Sequence, residues 1–100
     1  MFFITAFEDL DKEWGYKGSA RCFGFKETFE QADKAVKENW CGINETIYDY
    51  AVIEEIDSGI HPDVKNRWFY KFNYEKDIYE PIDEPEEMKG FCNLSLGWNL

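Results

Sequence analysis

Residues Ile47 to Ile56 carry apolar side chains on both sides of an alternating pattern, and this constrains the fold more than any other stretch. Tyr48, Tyr50 and Val52 fall on one face of an extended segment, and Ala51 and Ile53 fall on the other. A strand that is apolar on both faces belongs at the centre of a sheet. The remaining segments are therefore read as its neighbours and its cover.

Phe2 to Glu8 alternates loosely among ring and β-branched residues and reads as a first strand, and Ala20 to Phe25 as a second. In the second strand, Arg21, Phe23 and Phe25 are expected to share one face, with Cys22 and Gly24 on the other. Asp9 to Ser19, between them, reads as a loop or a wide hairpin turn. Thr28 with Gln31 three residues later forms a capping box, and Phe29, Ala32, Val36 and Trp40 follow at helical spacing. That helix is expected to end near Asn39, helped by Gly42. Arg67 to Asn73 alternates Trp68, Tyr70 and Phe72 against Phe69 and Lys71, and Ile78 to Ile82 closes a hairpin with it. Pro81 places this last strand at an edge, because proline has no N–H to give a second neighbour. Pro85 followed by Glu86 and Glu87 favours the start of a short helix, and Phe91 to Leu100 is apolar enough to dock, with Leu94, Leu96 and Trp98 alternating. The expected fold is α+β: a single domain over residues 1–100, with one main helix packed on a four- or five-stranded, mainly antiparallel sheet.

The chain carries 21 acidic against 11 basic side chains, a net charge of −10, together with 19% aromatic residues. Disordered acidic tails lack rings because they bury nothing, so this composition describes a folded domain with an acidic skin. Such a charge opposes direct binding to nucleic acid or an anionic membrane and suits a basic protein partner, although it also serves solubility alone. Nothing resembles a leader or a membrane span, and the odd number of separated cysteines, Cys22, Cys41 and Cys92, fits a reducing cytoplasm.

Catalytic and metal chemistry find little support. The glycines form no phosphate cradle, the cysteines form no Cys-x-x-Cys pair, and His61 is the sole histidine. No metal or cofactor is expected. A cysteine paired with His61 reads better as buried thiols and a turn histidine, and Glu54 and Glu55, as strand neighbours, point to opposite faces and cannot converge on one substrate. A non-enzymatic protein is expected. Two groups of residues stand out as binding candidates. Arg21, Phe23, Phe25, Tyr48, Tyr50, Arg67 and Trp68 combine guanidinium groups with rings, a chemistry that stacks a base and neutralises a phosphate, unless the rings are simply core. Glu75, Asp77, Glu80, Asp83, Glu84, Glu86 and Glu87 place seven acids against the single Lys76, a strip able to mimic phosphates towards a basic groove or merely to solvate a hairpin.

The successions Phe3-Ile4-Thr5, Arg21-Cys22-Phe23-Gly24-Phe25, Ile43-Asn44-Glu45, Tyr48-Asp49-Tyr50-Ala51-Val52-Ile53-Glu54, Gly59-Ile60 and Trp68-Phe69-Tyr70-Lys71-Phe72 resemble a family of small proteins met in phages, prophages and mobile elements of Firmicutes. The resemblance implies a counter-defence role through binding. One mode is sequestration of a nucleotide-type immune signal by the aromatic and arginine set, in a pocket completed by a homo-oligomer. The alternative is an acidic inhibitor that blocks a basic nucleic-acid-binding host protein in the manner of anti-CRISPR proteins. A small structural or regulatory subunit is the third expectation.

Overall fold

The computed structural model describes residues 1–60, 62–89 and 94–96. The expectations placed on His61, Cys92 and Trp98 fall outside them. Five antiparallel strands form one sheet: β1 (Phe2–Asp11), β2 (Gly15–Lys26), β3 (Tyr50–Ile56), β4 (Val64–Asn73) and β5 (Ile78–Ile82), in the order β2-β1-β3-β4-β5. Among the described residues one α-helix, α1 (Phe29–Lys37), packs on the sheet, Glu86–Met88 forms a single 3-10 turn, and Trp40–Gly42 is a tight turn interrupted by the left-handed Cys41. The expected α+β architecture is thus observed. No helix among the described residues is long and apolar enough to cross a membrane.

The hairpin between β1 and β2 is tighter than a loop over Asp9 to Ser19. The Asp11 carboxylate accepts the backbone N–H groups of Glu13 and Trp14, and Gly15 takes a left-handed φ of 88°, so three residues suffice to turn the chain. The helix begins as its capping residues require, with the Gln31 N–H donating to Thr28 Oγ1 at 3.2 Å. It connects β2 to β3 over β1, which lies between them. This crossover places α1 on one face of the sheet.

Packing there depends on small residues. Ala6 and Ala51 pair across β1 and β3, both fully buried, and Ala32, Ala35 and Val36 of the helix come down over them. With only methyl groups at that crossing, the helix approaches closely, and larger side chains fill the periphery: Ile53, Tyr70, Phe72 and Tyr79. The opposite face has a smaller core of Phe7, Val52, Phe69, Met88 and Leu94. The last two, Met88 and Leu94, come from beyond β5 in the chain.

Two sequence-based expectations need correction. A β-bulge shifts the register of β2 against β1: Gly24 pairs with Ile4 and Cys22 with Thr5, which leaves Phe23 as the extra residue. Phe23 therefore packs against the helix-side core, while Phe25 lies across from Phe3 on the other face, with ring centroids 5.3 Å apart. Arg21, Phe23 and Phe25 do not share one face. The central strand also starts at Tyr50 rather than Ile47, because Glu45 and Thr46 take left-handed φ values of 48° and 63° and turn the chain. Tyr48 lies in that turn and packs in the helix-side core, apart from Tyr50.

Candidate functional site

The aromatic and arginine residues are divided by the sheet. Arg21, Phe23, Tyr48 and Trp68 belong to the helix side, and Phe25, Tyr50 and Arg67 to the other side. On the helix side the Arg21 guanidinium stands over the Phe23 ring at 5.1 Å and forms a 2.7 Å ion pair with Glu45. Phe23 in turn meets the Tyr48 ring edge to face. Tyr48 itself is buried, and its carbonyl accepts both the Tyr79 hydroxyl and the Asn44 side-chain amide. It is a structural anchor in this position rather than a surface ring.

Glu45 is presented by an unusual backbone. Asn39, Cys41, Glu45 and Thr46 all have positive φ between 48° and 63°, and a β-branched residue such as Thr46 rarely adopts this region. The buried Asn44 side chain holds the turn by accepting from the Thr46 N–H while donating to the Tyr48 carbonyl. Strain of this kind persists only where surrounding contacts impose it. No signal in the sequence other than Asn39, Gly42 and Asn44 marks this turn.

On the other side, Tyr50 stacks on Phe7 with ring centroids 5.4 Å apart and receives the Lys71 ammonium over its face. Arg67 Nε donates to Glu54 Oε2 at 3.0 Å. Glu54 is fully buried on the central strand, and it also accepts the N–H of Leu94 at 3.0 Å, the N–H of Ser95 at 2.7 Å and the Ser95 hydroxyl. Ser95 Oγ accepts from Thr5. Glu55 faces away and takes a hydrogen bond from Asn66, so the two carboxylates diverge as expected from strand geometry.

The two candidate sets meet at one place. A cleft of about 380 Å³ opens between α1 and the end of β5, with Trp68 and Phe29 as its aromatic floor, their centroids 4.4 Å apart, and Asp83 and Glu84 at its rim. Its charges are unequally committed. Lys37 is paired with Asp33 at 3.1 Å and Arg67 with Glu54, whereas neither Asp83 nor Glu84 forms an ion pair among the described residues. The Tyr70 hydroxyl donates to the second Asp33 oxygen at 2.6 Å. Burial and that carboxylate hold the phenol well above its ordinary pKa. Among the described residues, the charges of the cleft that lack an ion pair are negative.

The acidic strip continues from this rim along β5. Glu80 and Glu86 are met by Lys76 and Lys89 at 3.6 and 2.9 Å, while Glu75, Asp77 and Glu87 have no basic partner among the described residues. No group of three or more metal-binding side chains occurs among the described residues. No family model, curated protein or solved structure matches the chain.

Proposed function

We propose that this is a non-enzymatic binding protein of the phage counter-defence type, which blocks a basic partner protein by docking it along the β5 edge. The observation that carries this reading is the uncommitted charge of the cleft. Its cations already have carboxylate partners, and its two rim carboxylates above the aromatic floor form no ion pair among the described residues, with Lys89 acting on Glu84 only at longer range. That chemistry suits the guanidinium or ammonium of a partner's Arg or Lys, held by rings below and carboxylates beside it. Exposed ion pairs contribute only about 0–1 kcal/mol each, so affinity depends on several acids acting together along the strip and on the rings excluding water.

The test compares two variants of equal net charge, Asp83→Lys/Glu84→Lys and, in the β1–β2 hairpin at the opposite edge of the sheet, Asp9→Lys/Glu13→Lys, for binding to a nona-arginine peptide followed by tryptophan fluorescence. Reversal at the cleft is expected to weaken binding at least tenfold more than reversal at the distant pair. Equal weakening would mean that overall charge alone attracts the peptide, and the reading would fail.

Sequestration of a nucleotide-type signal is a second reading, supported by the exposed Arg21 guanidinium over Phe23 beside the strained turn. It requires a second copy to complete the site, since the sheet separates the other members of the set. Arg21→Ala would abolish nucleotide capture and leave peptide binding unchanged.

A further inference from the structure

The contacts of Glu54 have a chemistry of their own. A carboxylate and a guanidinium buried on a sheet face are expensive to desolvate, and well-packed apolar residues in their place are commonly neutral or stabilising. An aliphatic side chain at position 54 would seal this face against Val52 and Phe69 without that cost. What the carboxylate adds is directional: it reads two consecutive backbone N–H groups and one hydroxyl, all from Leu94 and Ser95. Arg67 fixes its orientation from β4, and Thr5 on β1 donates to the same serine oxygen. The Leu94 side chain is buried beside Phe7, Val52, Phe69 and Met88, while Leu96 is half exposed. An apolar socket next to a receptor for N–H, N–H and O–H is how a groove recognises a short segment rather than how a core is filled.

We propose that this face, formed by β1, β3 and β4, is a peptide-binding groove for a partner segment in which a large aliphatic residue is followed by serine or threonine, and that Leu94 and Ser95 occupy it as an internal stand-in. The tethered segment competes at an effective concentration in the millimolar range, so a partner segment gains access in proportion to the time the tail is away. Glu54 is the selecting group. It requires unpaired N–H donors on both residues, which excludes a proline at either position, and the hydroxyl contact selects against alanine at the second.

The experiment uses the full chain carrying Leu94→Asp, which disables the tail but leaves the groove intact, and a synthetic peptide of residues 88–96 as the probe. Calorimetry is expected to show one peptide bound per chain, at least tenfold more weakly when the serine of the peptide is replaced by alanine, the loss typical of a hydrogen bond to a charged group. Adding Glu54→Gln to the protein should abolish binding. The wild-type chain should bind the same peptide far more weakly than the Leu94→Asp variant. Absence of binding, or equal binding of the serine and alanine peptides, would overturn the proposal. So would a Leu94→Asp chain that does not fold, since a groove that cannot be vacated cannot receive a partner. A dimer of the wild-type chain by native mass spectrometry, lost in Leu94→Asp, would make a second copy the occupant instead.

Discussion

The two faces of the sheet are closed by different physics. On the helix side, a broad core of alanines, aliphatics and rings is buried beneath a capped helix, and its polar groups are satisfied within that layer: Tyr70 by Asp33, Tyr79 by the Tyr48 carbonyl, Asn44 by its own turn. On the other side, a smaller apolar cluster is closed by a short C-terminal segment whose polar anchor is the Glu54 carboxylate. Apolar burial is additive and undirected, so the first face is sealed wherever side chains touch. The second depends on a few aligned donors. The first behaves as scaffold, and the second has the features of a site.

The sharpest test of that contrast removes one large side chain from each face. Tyr79→Ala deletes a fully buried ring, and a loss of about 3–5 kcal/mol in global stability is expected from urea unfolding. Leu94→Ala is expected to cost less than about 2 kcal/mol, because the segment can detach and the loss cannot exceed its docking energy. Hydrogen exchange distinguishes the cases: the second variant should lose protection at Leu94 and Ser95 while the strands keep theirs. Equal global losses would erase the distinction between the faces.

A second test exploits proton linkage on the helix side. Folded Tyr70 keeps its proton at a pH where the unfolded phenol, with a pKa of about 10, has released it. The unfolded state then binds fewer protons, so stability is retained below about pH 10 and falls as pH rises beyond it. Tyr79, also raised by burial, acts in the same direction. Tyr70→Phe should lose about 1 kcal/mol near neutrality, through the hydrogen bond to Asp33, and should show a shallower alkaline decline when urea midpoints are compared between pH 8 and 11. An unchanged slope would remove Tyr70 from the account.

The smallest expected effect concerns the turn that presents Glu45. Thr46→Gly relieves a left-handed β-branched residue and should stabilise the protein by about 1 kcal/mol in thermal unfolding. If this gain accompanies weaker binding of the nucleotide-type ligand, the strain serves the Arg21 site. If binding is unchanged, the turn is structural.

Much of the helix-covered face was legible in the sequence, because its signals are local and periodic. The cap at Thr28, the alternation of Trp68, Tyr70 and Phe72 against Phe69, and the edge position announced by Pro81 each depend on residues close in the chain. The bulge at Phe23 was less legible. Gly24, at a φ of 123°, is the one local mark of it, and a single glycine in a strand does not say which neighbour is extra. Alternation misleads at Tyr48, because the pattern continues on paper through a turn that breaks it in space. Strand alternation separates Glu54 from Glu55 but does not show what Glu54 binds, because its donors lie about forty residues onward, at Leu94 and Ser95. One signal was available, an acid at an inward position between Val52 and Ile56 on the most apolar strand.

The strand order also governs how the chain assembles. β1 lies between β2, its neighbour in sequence, and β3, so that Phe2 stands opposite Glu55 and Phe7 opposite Tyr50. The first hairpin can close within microseconds, but its inner edge has to wait for a segment some fifty residues later. Closing so long a loop costs entropy before any contact repays it, which makes the β1–β3 pairing the natural slow step of folding. Until it forms, an emerging chain presents one unpaired backbone edge of β1 and, beside it, a face bearing Phe2, Ile4 and Ala6. During synthesis, that interval is when this small acidic protein would depend most on its charge to stay apart from its neighbours.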